Sequence, residues 1–204
     1  NIWSVPSPLA VFGFIQLNTR MTIIRMNDGR LFLHSPIPWS TELNTMVSDL
    51  GEIAYIVAPS CFHHLFVGDW KENHPNALLC GPKGLLKKRQ DLQFDVEMTP
   101  DSSFPWTSEI QTFSLAGMPI VQEYLFFHND SRTLVVTDFM FYMPSSNGFT
   151  SFYAWINGVK SNLATPILFK SAVKDRPAFR QSLQPLKDLA VSNISLCHHH
   201  IIDW

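Results

Sequence analysis

The sequence predicts an α/β (α+β) fold in which two sheets pack together with helices outside. Three observations carry this prediction. Ile53–Ala58 is an unbroken apolar run, the pattern of a strand buried on both faces. A helix-like segment and a second short strand, Asn76–Cys80, follow it, the order expected of a parallel α/β unit. The second half of the chain then repeats the scheme, with strands first and helices later. A chain of 204 residues without a linker or low-complexity tract forms one domain over 1–204, with truncation at either end left open.

In order, Val11–Leu17 and Met21–Met26 read as strands, and Asn27-Asp28-Gly29 as a hairpin turn into Arg30–His34. Ser35-Pro36-Ile37-Pro38 breaks the sheet. Ser40 or Thr41 then caps a helix over Glu42–Leu50, which Gly51 ends. After Ile53–Ala58, Pro59-Ser60 turns the chain into a short helix over Phe62–Asn73 that starts with two histidines. Gly81-Pro82 leads from Asn76–Cys80 into a basic helix at Leu85–Arg89, and Asp91–Pro105 is a polar surface excursion. Ile110–Leu115, Ile120–Phe127 and Thr133–Thr137 are strands, the last two joined by a hairpin at Asn129-Asp130-Ser131. An irregular stretch, Pro144–Ser151, precedes helices around Phe152–Lys160, Ser171–Gln181 and Leu183–Ala190. A final strand, Val191–Cys197, delivers a run of histidines.

Composition narrows the function classes. Hydrophobic residues make up 46% and charged residues 16%, the balance of a packed globule. Net charge is -2, and only Lys87-Lys88-Arg89 clusters among the 15 basic residues, so nucleic acid is not implied. No stretch approaches the ~20 apolar residues of a membrane span. Cys61, Cys80 and Cys197 are widely spaced and never form CxxC, which argues against a disulfide framework and for a reducing, intracellular and cytoplasmic setting. Asn1-Ile2-Trp3-Ser4 shows neither a signal peptide nor a methionine, the expectation being a fragment.

The candidate chemistry lies in four separated segments. These are Phe62-His63-His64, Phe127-His128, Val136-Thr137-Asp138 and Cys197-His198-His199-His200. Most stand where an apolar run ends, the place where α/β folds carry their sites. Imidazole nitrogens and a carboxylate are donors that zinc or iron accepts. Each residue also has a plainer reading as a strand-end or capping side chain, and a carboxylate behind a buried strand must be paired, capped or metal-bound. His34 closes a strand beside Ser35-Pro36 with no partner suggested nearby. Gly-x-Ser-x-Gly, glycine-rich phosphate loops and dinucleotide fingerprints are absent from the sequence. A cysteine nucleophile stays open, since Cys61 and Cys197 neighbour histidines.

With these residues in view, the chain resembles the DUF4336 family, a group of unknown function related to the metallo-β-lactamase superfamily. The resemblance spans most of the chain. It rests on Thr19–Arg25, Asp28–Pro36, Ala58-Pro59 with Phe62-His63-His64, Phe127-His128, Ser131–Leu134 and Thr137-Asp138. It implies an αββα sandwich of two mixed β-sheets flanked by helices, with the active cleft at one edge between the sheets. The superfamily's His-x-His-x-Asp-His motif falls on Pro59-Ser60-Cys61-Phe62-His63-His64, so Pro59 and Cys61 replace two histidines and His63 replaces the aspartate. His64 matches directly, His128 corresponds to the later histidine and Asp138 to the bridging aspartate. The final histidine is His198, or His199 if the register slips by one.

What the resemblance implies is a reduced site. One of two metal positions is depleted, leaving a single Zn or Fe held by His64, Asp138 and His198, with His128 beside the other position. The first functional expectation is a mononuclear metal-dependent hydrolase of unspecified small-molecule substrate, with His63 or His128 as proton shuttle. The alternative is a degenerate, metal-free member that binds a small molecule or a protein partner. In that case Phe139–Met143, Phe149, Phe152, Tyr153 and Trp155 would line an apolar surface or simply fill the core.

Overall fold

Alternation of apolar side chains sorts the strands into two sheets that share one buried layer. In a computed structural model, all residues except 12, 14, 147, 200 and 204 are described. The elements are β1 (Ile2–Ser7), β2 (Ala10–Val11), β3 (Ile15–Gln16), β4 (Thr19–Arg25), β5 (Leu31–His34), α1 (Thr41–Ser48), β6 (Ile53–Val57) and α2 (Val67–Asn73). There follow β7 (Leu78–Pro82), α3 (Lys83–Lys88), β8 (Val96–Met98), β9 (Ile110–Ser114), β10 (Tyr124–His128) and β11 (Thr133–Val136). The chain closes with α4 (Gly148–Ile156), α5 (Ile167–Ser171), α6 (Arg176–Ser182), a 3₁₀ turn (Gln184–Asp188), β12 (Asn193–Leu196) and β13 (Ile201–Asp203).

One sheet runs β1-β4-β5-β6-β7-β8 and the other β13-β12-β11-β10-β9, while β2 and β3 form a separate small hairpin. Within the first sheet β5 to β8 are parallel, and β1, β4 and β5 are antiparallel. In the second, β11 and β12 are parallel and the remaining pairs antiparallel. Successive residues of β5 show the layering. Leu31 and Leu33 pack outward against Val47 of α1 and Val67 and Trp70 of α2. Phe32 points inward with Tyr55, Trp106, Tyr124, Phe126 and Val135, the core between the sheets. On the far side, Leu125, Phe127, Leu134, Ile194 and Leu196 pack against Phe169 of α5 and Phe179 of α6. The result is helices, sheet, sheet, helices, as expected from the sequence.

Local differences from the sequence reading have physical causes. Val11–Leu17 is not one strand. The β2–β3 hairpin occupies it, turning around Gly13 at φ 76°. Ser60 Oγ accepts from the backbone N–H groups of Phe62 and His63, so these residues form a turn and the helix begins only at Val67. The polar excursion after Asp91 contains β8, which extends the parallel sheet because Asp95 accepts from the Leu79 N–H at its edge. Asp175 caps α6 through the Ala178 N–H, placing that helix five residues later than its apolar pattern suggested.

His34 sits inside the intersheet layer at 1% exposure, edge-on to Phe126 with ring centroids 5.3 Å apart. Neither of its ring nitrogens has a hydrogen-bond partner. Burial, then the neighbouring His63, pushes its pKa down from 6.5 to about 3. The unfolded chain therefore gains a proton below 6.5 that the native chain refuses, and stability is lost as pH falls through that window. His34→Leu is expected to raise stability by about 1 kcal/mol at neutral pH, by removing the unpaired polar atoms. The gain should widen on acidification below 6.5 in thermal-melt series. A variant as acid-sensitive as the parent would refute this account.

Candidate metal centre

The strand ends that matter lie along one edge of the sandwich. β5 and β6 are parallel, as are β11 and β12, so each pair finishes on the same side. Beyond β6, the Ser60 turn presents His63. Beyond β11 comes Asp138, and beyond β12 come Cys197 and His198. The loops of the two sheets are tied there by backbone bonds from Cys61 N to Val121 O and from Tyr124 N to Pro59 O, both 2.8 Å.

Asp138 Oδ1 lies 3.4 Å from Nε2 of His63 and 3.4 Å from Nε2 of His198. The two imidazole rings are 5.2 Å apart. Ligating atoms of His63, Cys197 and His198 all fall within 4.8 Å of one another. His198 Nδ1 is 2.7 Å from the carbonyl oxygen of Asn18, which only accepts, so Nδ1 carries a hydrogen. In the neutral ring Nε2 then bears a lone pair, and that atom is buried with no hydrogen-bond partner. It faces a carboxylate oxygen that also has only lone pairs. His63 Nδ1 meets Ser35 Oγ at 2.9 Å and Cys197 Sγ at 3.4 Å, leaving its Nε2 toward the same carboxylate. Contacts of 3.4 Å are longer than charge-assisted hydrogen bonds of about 2.8 Å. Three donor atoms thus converge on a space that calls for positive charge, supplied by protons or by a metal ion.

The electrostatics agree. Burial opposes charge on His63, but Cys197 and Asp138 outweigh it and hold its pKa well above 6.5. His198 is likewise raised against its burial, chiefly by Asp138. Burial alone would lift Asp138, yet His63 and His198 carry it far below the usual carboxylate range. Cys197 is buried, which raises a thiol, but His63 more than offsets this and brings it down to about 6. Thr19 Oγ1 at 3.3 Å and Ser35 Oγ at 3.6 Å surround its sulfur.

Behind Asp138 stands Glu123, fully buried. Its Oε1 accepts from Thr137 N, Thr137 Oγ1 and Phe139 N at 2.9, 2.7 and 3.2 Å, clamping the turn that carries Asp138. Burial and the charge of Asp138 push its pKa up to about 8.

Asp138 and His198 come together as the sequence suggested, but His63 joins them in place of His64 and His128. His64 Nδ1 accepts from Arg89 Nη1 at 3.2 Å, which puts the hydrogen of its neutral ring on Nε2. Burial, with Lys88 and Arg89, lowers its pKa to about 4. His128 pairs with Thr133 at the start of β11. Thr133 and Asp138 are five positions apart, about 17 Å of extended chain, so His128 stands at the opposite end of the sheet, bonded through Nδ1 to Ser131 Oγ at 2.8 Å. His199 turns to Tyr142, 5.0 Å between rings, which favours His198 as the terminal donor. His200 lies outside the described residues. Sequence reasoning placed His63 where the superfamily's aspartate stands and offered it as a proton shuttle, with His64 as the ligand, and it missed Glu123, Ser35 and Thr19. A lone glutamate entering the apolar run Tyr124–Phe127 was the available signal for Glu123.

Solved structures similar to the whole chain are metallo-β-lactamases. DIM-1, from a crystal exposed to ceftazidime, is 16% identical with a TM-score of 0.68, and the match covers 100% of this chain and 87% of that one. TMB-1 is 13% identical with a TM-score of 0.67 over 100% and 88% of the two chains. The metallo-β-lactamase from Pontibacter korlensis is 12% identical with a TM-score of 0.67 over 99% and 89%. Identities this low show a shared fold, the αββα sandwich. No curated protein sequence matches the chain. The model of the family described as "Domain of unknown function (DUF4336)" matches residues 1–150. With nearly three quarters of its length matched, the chain belongs to the DUF4336 family and carries the metallo-β-lactamase fold.

Proposed function

We propose that the protein is a mononuclear metal-dependent hydrolase whose single divalent ion is held by His63 Nε2, Asp138 Oδ1 and His198 Nε2. The observation that carries this reading is the convergence of His63 Nε2 and His198 Nε2 on Asp138 Oδ1, each at 3.4 Å. Two imidazoles and one carboxylate suit zinc and iron(II) alike and leave coordination positions open. An ion there supplies Lewis-acid polarisation of a carbonyl or phosphoryl oxygen and a water-derived nucleophile near neutral pH. The chain's own groups provide orientation. Asn18 O fixes the tautomer of His198, and Ser35 and Cys197 orient His63. Glu123 holds the Asp138 turn rigid. His63 is proposed here as a ligand, and His128 is too remote to move protons for the site.

Purified protein, reconstituted with zinc or iron(II), should hold about one metal equivalent by elemental analysis. Asp138→Ala and His198→Ala should each lower affinity by about tenfold or more, whereas His128→Ala should leave it unchanged. Less than about 0.2 equivalents after reconstitution would end the hydrolase reading in favour of a metal-free binding protein.

A second expectation follows from the charges. Without metal, protons on His63 and His198 neutralise Asp138, and both histidines are raised above 6.5. Their stabilisation is complete below 6.5 and lost as pH rises through the native values. Metal-free protein should therefore melt at falling temperature above that pH, and added zinc should abolish the decline. Parallel pH profiles with and without zinc would contradict the assignment.

A further inference from the structure

Above the cluster opens a cavity of about 700 Å³, well within the range that holds small-molecule ligands. The distribution of its lining chemistry is uneven. Thr19, Ser35, His63, Asp138 and His198 gather at the cluster. The other walls are overwhelmingly apolar, formed by Val11 and Ile15 of the β2–β3 hairpin, Phe62, Phe141, Leu168 and Phe169. Among the described lining residues there is no lysine or arginine, and Asp138 is the single carboxylate. The one carboxylate of that lining and two of its three histidines therefore lie at the cluster.

We propose that this cavity takes a fatty-acyl ester, its carbonyl at the His63–Asp138–His198 cluster and its uncharged tail along the hairpin and α5. The assignment rests on the metal-centre reading for the ester end and on the cavity alone for the tail. Three apolar side chains in the lining remain exposed in the free protein: Phe62 at 48%, Leu65 at 57% and Leu168 at 61%. Exposed apolar groups bordering a cavity are the surface an apolar tail would cover. The hairpin is also held in place to do so. Gln16 N donates to Thr150 Oγ1 of α4 at 2.9 Å, and Leu17 N to Leu9 O at 3.0 Å. Burying the tail removes apolar surface from water on both sides, so affinity should grow with tail length until the walls end.

The test is displacement of the neutral dye Nile red by methyl esters of butanoate, hexanoate and octanoate, with metal content measured in parallel. Affinity is expected to rise about fourfold for each added methylene, the value of ~0.8 kcal/mol per buried CH₂. Ile15→Asp and Leu168→Asp, checked for unchanged melting and metal content, should weaken octanoate-ester binding by about tenfold or more. Affinity independent of chain length, or unaffected by both substitutions, would overturn the proposal. The two readings fail separately. Length-dependent binding by a protein that takes up no metal leaves the tail site standing and removes the hydrolase. Metal uptake without length dependence removes the tail site alone.

Discussion

A partly buried carboxylate between two imidazoles sets the terms for this end of the molecule. Asp138 is drawn from water together with His63 and His198, and an uncompensated charge there would cost several kcal/mol. Its three contributors come from loops after β6, β11 and β12, so the charge balance exists only when both sheets are assembled. The surrounding bonds serve that balance. Glu123 fixes the Asp138 turn, Ser35 the His63 ring, and Asn18 the His198 ring. These bonds span 14 residues for Glu123, 28 for Ser35 and 180 for Asn18 and His198.

The sandwich makes such a site possible by separating packing from chemistry. The aromatic layer of Phe32, Tyr55, Trp106, Tyr124 and Phe126 locks the sheets together away from the edge, with Phe32 and Trp106 rings edge-on at 5.0 Å. Nearer the site the layer turns polar. Thr22 Oγ1 meets Ser195 Oγ at 2.9 Å, and the next inward residue of that segment is Cys197. Thr22 and Ser195 pair across the sheets there, so their burial carries little penalty, in contrast to His34. Glu123 and Cys197 are strongly shifted beside the three proposed ligands, and perturbed titration of this kind gathers in functional sites.

Much of this was legible in the sequence because strand burial leaves periodic traces. Ile53–Ala58, Tyr124–His128 and Thr133–Thr137 are apolar runs whose ends mark where polar groups reach an edge. Asp138 follows the last of these, and His198 follows the final strand-like segment Val191–Cys197. Register was harder. Whether His63 or His64 faces the cluster depends on the turn that Ser60 makes, and adjacent residues there point to different neighbours. His128 misled for a simple reason: both it and Asp138 end apolar runs, but β10 and β11 are antiparallel, so those ends lie at opposite edges of the sheet.

By itself the sequence determined the α/β class, the order of most elements and the donor types of the site, because composition and hydrophobic period are local properties. Tertiary structure alone decided which donors meet. It selected His63 over His64 and His128, brought Cys197, Ser35 and Thr19 beside them, and placed an apolar cavity above the cluster. Strand direction and sheet-to-sheet packing make those choices, and both are relations between residues distant along the chain.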